Sequence, residues 1–123
     1  MTDHGIAVAK KAAGWMPGAG KELKRLPSLL GADEEVLGFA PGKYAGSLGL
    51  VVATDARVIV MASKMFGQTT EDVPYSKLSS VGWSEKFATG KLSLAGSGVN
   101  LEVDEVASVS GQKLVTLIRS KVG

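Results

Sequence analysis

From about Glu35 to Val103 the apolar residues recur in short runs or at every second position, the spacing of β-strands. Beyond Asp104 they recur at steps of three and four, the spacing of a helix. Leu37 and Phe39 alternate with small residues, and Pro41-Gly42-Lys43 then opens a turn region. Residues 48–53 and 58–62 are almost continuously apolar and read as two strands. Thr54-Asp55-Ala56-Arg57 joins them, which predicts a tight hairpin whose Asp55 carboxylate accepts from the turn amides. Val73 and Tyr75 alternate in turn, and Pro74 places that segment at a sheet edge or a strand end. Leu78, Val81 and Trp83 follow, with a step of three that predicts a β-bulge. Leu92 and Leu94, then Val99, Leu101 and Val103, form a hairpin about Gly96-Ser97-Gly98, with Asn100 and Glu102 on the opposite face.

Val106, Val109, Leu114, Leu117 and Ile118 approximate one helical face, with Asp104 or Ser108 expected as N-cap. Gly111 interrupts that face and costs about 1 kcal/mol against alanine. The pattern predicts a mainly β (α+β) fold: seven short antiparallel strands closed by one amphipathic C-terminal helix. A small barrel, or two packed sheets with the helix over an open end, satisfies it. No internal repeat is evident.

The first thirty residues are organised differently. Residues 6–13 are helix-prone, but their apolar content is mostly alanine, so they offer little to bury. Three glycines and a proline between Gly14 and Gly20 predict a flexible joint. Residues 21–26 resume a helical pattern with Leu23 and Leu26 on one face, and Pro27 breaks it. Leu29 and Leu30 read as a plug leading into the fold. The expected organisation is a helical or flexible extension over residues 1–19 and one domain over 20–123.

Composition narrows the chemistry. The 123 residues hold no cysteine, which excludes disulfides, thiol catalysis and cysteine-held metals, and a single histidine, His4. Aromatic residues make up 6% against 16 glycines, a balance that favours tight turns over aromatic pockets. The net charge of +2 is uneven: residues 1–30 carry five bases and two acids, residues 31–75 three bases and six acids. Five bases in thirty residues fall short of a nucleic-acid footprint, so no nucleic-acid partner is expected. No apolar run approaches the length of a membrane span, and the N-terminus has no basic segment leading into a hydrophobic one. A cytoplasmic location is the resulting expectation.

The familiar catalytic motifs fail in context. Gly38 to Tyr44 comes near a phosphate-binding loop, but it is one residue short between its glycines, carries Tyr44 where the metal-binding hydroxyl belongs, and lies between strands. Gly96-Ser97-Gly98-Val99-Asn100-Leu101 lacks the third glycine of a dinucleotide fingerprint and reads as a hairpin turn. The acids Asp33-Glu34-Glu35, Glu71-Asp72 and Asp104-Glu105 stand at adjacent positions, which a strand sends to opposite faces, and read as solvated edges or a cap. No serine sits in a nucleophile elbow and no histidine is placed to activate one. No catalytic residue, cofactor or metal is expected. Trp83 reads as a core or groove residue with its indole N–H satisfied, and Trp15, within the glycine joint, as a cover for the barrel or an interfacial contact.

Several segments together resemble the bacterial pleckstrin-homology-like (YokE-like PH) domain family over about residues 20–122. They are Lys21 to Pro27 with Leu29-Leu30, Asp33 to Leu37, Gly49 to Ile59, Glu71 to Val81, Gly90 to Leu94 and Gly98 to Asn100. The resemblance implies a strongly bent seven-stranded antiparallel barrel plugged by a C-terminal helix, serving as a scaffold that does no chemistry. Thr54, Asp55 and Arg57 match the family's turn and read as structural, with an Arg–carboxylate tie. Eukaryotic relatives of the fold bind inositol phosphates through a basic first hairpin loop, but here residues 41–47 supply only Lys43. The leading expectation is a non-catalytic module that recognises a protein, a peptide or itself through a strand edge or the groove beside the helix. The alternative is weak binding to an anionic membrane surface through Lys10, Lys11, Trp15, Lys21, Lys24, Arg25 and Lys43.

Overall fold

A computed structural model describes residues 26–64 and 67–122. Residues 26–29 are helical and lead through residues 30–35 into seven strands. These are β1 (Val36–Tyr44), β2 (Ser47–Thr54), β3 (Arg57–Lys64), β4 (Gly67–Pro74), β5 (Leu78–Lys86), β6 (Thr89–Gly96) and β7 (Val99–Ala107). A 3-10 turn, Tyr75–Lys77, joins β4 to β5, and helix α1 (Ser108–Lys121) ends the domain. The sheet order is β4-β3-β2-β1-β7-β6-β5 with every described pairing antiparallel, so β4 and β5 are its two edges.

The two halves of the sheet meet where Lys43 pairs with Asp104. The meeting is close: a Cβ on Gly42 would lie 2.8 Å from Val103 Cγ1 and from Val106 Cγ2, and 2.9 Å from the Asp104 carbonyl. A side chain there would push the halves apart, so this glycine lets the sheet fold on itself. Inside the bend sits the main core, in which Val51, Ala53, Val58 and Val60 face Leu92, Leu94, Val103 and Val106. Leu114, Val115 and Ile118 of α1 cover this core.

The apolar runs of β2 and β3 are continuous because both of their faces are covered. On the far side Leu50, Val52, Ile59 and Met61 join Phe39, Val36 and Leu26 in a second cluster, with Leu29 and Leu30 packed against it. All seven are 5% exposed or less. A side chain of this size is stabilised by roughly 1.5–3 kcal/mol when buried, so residues 26–30 form an essential second lid.

Several expectations need correction. The strand pattern runs on past Asp104: β7 continues to Ala107, so Val106 is a strand residue. Neither Asp104 nor Ser108 caps α1, because Ala107 holds the N-cap position and no side chain bonds there. Val109 is 71% exposed and does not belong to the buried helical face. The pairing of β1 with β2 slips between Val36 and Gly38, which leaves Leu37 40% exposed while Val36 and Phe39 are buried. Pro41, Gly42 and Lys43 lie within β1 and open no turn; the turn is Ala45-Gly46, both at positive φ, as a two-residue hairpin requires. The bulge expected after Leu78 is present between Leu78 and Ser80, and Pro74 ends edge strand β4. The expected extension over residues 1–19 lies outside the described residues.

Candidate functional site

The densest polar constellation is built around Arg57, the first residue of β3. Its guanidinium clasps Glu34 with both arms, Nε donating to Oε2 and Nη2 to Oε1, each at 2.8 Å. Nη2 also donates to the Leu29 carbonyl at 2.7 Å, and Nη1 pairs with Asp72 of β4. Glu34 Oε1 accepts from the Gly31 amide at 3.0 Å and Oε2 from the Thr54 hydroxyl at 2.7 Å. Only 8% of the Glu34 side chain is exposed. The Arg57 bonds hold its carboxyl down at about 2 against the opposing effect of burial, while Glu34 in turn raises the Arg57 guanidinium.

The hairpin turn differs from its expected form. Thr54 Oγ1, and not the Asp55 carboxylate, accepts from the amides of Ala56 and Arg57, each at 3.0 Å. Asp55 reaches across to accept from the Glu35 amide at 3.1 Å, and the Asp55 amide donates back to the Glu35 carbonyl at 3.0 Å. Tyr75 completes the cluster by donating its hydroxyl to the Thr54 carbonyl at 2.6 Å. Burial first, then the Asp55 and Glu34 charges, push this phenol up to about 12. Glu34 is therefore no solvated edge but the buried anion of a structural clasp. The clasp pins residues 29–35 to the β2–β3 turn and to β4. Its donors and acceptors are engaged with one another, so it is a lock and not a ligand cradle.

Of the seven residues expected to contact an anionic surface, Lys10, Lys11, Trp15, Lys21, Lys24 and Arg25 lie outside the described residues. Lys43 lies within them and pairs with Glu105 at 3.2 Å. The β1–β2 turn beside it is only two residues long, with Tyr44 opposite Ser47. Such a turn has no backbone loop in which to seat a phosphate. Among the described residues no group of carboxylates or histidines is arranged to hold a metal ion.

The two sheet edges differ. Along β5, helix α1 lies close. Trp83 fills the seam so fully that a Cβ on Gly111 would fall 2.3 Å from its ring and one on Gly90 2.4 Å. Its Nε1 donates to Glu85 Oε1 at 3.0 Å, and Gln112 Nε2 donates to the same oxygen at 2.7 Å. These two bonds, Trp83 first, hold the Glu85 carboxyl below its ordinary value. Arg119 Nη2 reaches the Val81 carbonyl of β5 at 3.4 Å. On its β5 side, α1 is thus met by the chain's own Trp83, Glu85 and Val81. Strand β4 pairs with β3 over all eight of its residues and, among the described residues, has a strand neighbour on that side only.

A single antiparallel sheet of seven strands, bent on itself and closed by a C-terminal helix, defines the class of PH-like barrels. A family model described as bacterial PH domain matches residues 30–120, and the chain belongs to that family. Two solved structures share the fold. One is a pleckstrin homology domain from Shewanella amazonensis, at 23% identity and a TM-score of 0.58, covering 85% of this chain and 98% of that one. The other is a DUF1696 family protein with a pleckstrin-homology domain from Shewanella loihica, at 15% identity and a TM-score of 0.57, covering 85% and 92%. No curated protein matches the chain. Domains of this family generally mediate binding and are typically non-catalytic. No described helix is long and apolar enough to cross a membrane.

The Arg–carboxylate tie was legible in the turn motif, but its partner was not. Glu34 stands among three acids in a row, and nothing in the sequence separates it from Asp33 and Glu35.

Proposed function

We propose that the chain is a non-catalytic binding module that takes up an extended segment of a protein partner, or of a second copy of itself, as an added strand on β4. One observation carries this reading: among the described residues, side chains of α1 bond to β5 at one sheet edge, while β4 at the other edge pairs with a strand on one side only. An edge of that kind offers backbone donors and acceptors in strand register, the basis of recognition by strand addition. Glu71 on β4, which lies outside the Arg57 clasp that holds Asp72, favours a partner segment with a basic residue.

The test combines light scattering at rising concentration, pull-down from cell extract, and hydrogen exchange on the full chain alone and with whatever binds. The expected result is added amide protection over residues 67–74 on self-association or on partner binding. A chain that stays monomeric and captures nothing, or a bound partner that leaves residues 67–74 unprotected, would refute the reading.

A further inference from the structure

Edge strand β4 divides its side chains between the two faces of the sheet. Thr69, Glu71 and Val73 are each less exposed than Gln68, Thr70 and Asp72 beside them. The first three stand opposite Ala62, Val60 and Val58 of β3, and Val73, Val60 and Val58 belong to the main core. Glu71 is therefore on the face that lines the inside of the bend, while Asp72 faces outward and is tied to Arg57. Among the described residues Glu71 forms no ion pair. A carboxylate turned toward a core loses solvation that a cation beside it would offset.

Tyr44 packs against the same core from β1. Between it and Glu71 on that face stand Gly49 and Ala62, which pair with each other and carry nothing larger than a methyl group. The Glu71 charge reaches across them: after burial, it is the cause that pushes the Tyr44 phenol up. A phenol hydroxyl and an unpaired carboxylate side by side suit an ammonium or guanidinium group, whose donors can bond to both.

This pair lies within reach of a segment added to β4. Residues opposite one another on neighbouring strands share a face, with Cβ atoms roughly 5 Å apart. An incoming residue opposite Glu71 thus projects inward beside it, and those opposite Thr70 and Asp72 project to the outer face. The three-residue turn Tyr75–Lys77 keeps β5 close to the Pro74 end of β4, which leaves the stretch from Gly67 to Glu71 as the more open part of the edge.

We infer that the segment taken up by β4 is selected by a lysine or arginine that stands opposite Glu71 and turns inward to meet Glu71 and Tyr44. The inference rests on strand addition at β4 and names the side chain that chooses the partner. Outward-facing residues of the segment are free to vary, and an acid at the selected position is rejected by the Glu71 charge.

The experiment selects linear octapeptides from a random phage-displayed library on the immobilised full chain and on its Glu71→Gln and Glu71→Lys variants. Glu71 has no ion pair to lose among the described residues, so both variants should melt as the wild type does. Peptides selected on the wild type should share one lysine or arginine and should protect residues 67–71 from hydrogen exchange. Glu71→Gln should weaken such a peptide by roughly fivefold, the upper range for an opposite-charge cross-strand pair. Glu102→Gln, an exposed acid on β7, should leave it unchanged. Glu71→Lys should select peptides with an acid at the same position. Peptides that protect residues 67–71 but share no basic residue, or that bind Glu71→Gln as tightly, would overturn this inference and leave strand addition standing. Failure to select any peptide, or selected peptides that leave residues 67–74 unprotected, would refute strand addition itself and this inference with it.

Discussion

Replacing Gly111 by alanine sets two physical effects against each other, and the structure decides between them. In an ordinary helix interior the change stabilises by about 1 kcal/mol, because glycine carries the larger entropy cost on folding. Here the added Cβ would stand 2.3 Å from Trp83 Cη2, 2.4 Å from Cζ3 and 3.0 Å from Val106 Cγ1. The indole cannot retreat, because Gly90 closes its other edge and its Nε1 is tied to Glu85, which Gln112 also holds. Relief therefore requires α1 to lift from the sheet. Overpacking of this kind costs typically 1–3 kcal/mol, and an overlap of about 1 Å with a rigid ring belongs at the upper end. Set against the helix gain, a net loss of about 2 kcal/mol is expected, which lowers Tm by roughly 5–10 °C for a domain of this size. Far-UV circular dichroism melting should be used, since Trp83 itself perturbs fluorescence. Trp83→Phe in the same chain should recover part of the loss, giving a coupling of at least about 1 kcal/mol in the double-mutant cycle. A Gly111→Ala protein as stable as the wild type, or strictly additive variants, would refute the packing argument.

Three further outcomes follow from the clasp and the β5–β6 turn. Because the Glu34 carboxyl is held at about 2 in the fold and sits at its ordinary 4.5 when unfolded, its contribution is complete above about pH 4.5 and disappears as pH falls toward 2. Urea unfolding across that window should lose about 3 kcal/mol through this group, and Glu34→Gln should flatten that slope. Arg57→Met should destabilise by roughly 3–5 kcal/mol because it strands the buried Glu34 charge, and adding Glu34→Gln should restore a substantial part; unfolding midpoints of the single and double variants check this. Phe87→Gly should raise Tm, since it relieves a positive φ and removes no contact; a lower Tm would mean that the side chain packs against something.

Much of the site logic was out of reach of the sequence for one reason: it depends on residues that are far apart in the chain. Glu34 and Arg57 are separated by 23 positions, Trp83 and Gly111 by 28, and a sequence pattern carries no record of which distant residues share a cavity. Local features were readable. The turn at Ser97-Gly98, the bulge after Leu78 and the edge role of Pro74 follow from backbone chemistry within a few residues. Leu37 was misplaced because a one-residue slip in pairing reverses which face a side chain occupies, and a slip leaves no mark on alternation.

The hydrophobic period by itself determined that this chain builds short antiparallel strands and ends in one helix, because periods of two and of about 3.6 reflect backbone geometry alone. It also determined, through the missing cysteines and the lone histidine, which reactive side chains were not at hand. Tertiary structure alone decided that β2 and β3 need a cover on each face, which residues 26–30 and α1 supply from opposite ends of the domain. It decided that an apparent helix-breaking glycine is the slot for Trp83, and that Glu34 of the three acids is buried while Asp33 beside it is exposed. Those outcomes rest on which surfaces meet once the sheet bends at Gly42, and only the folded chain brings those surfaces together.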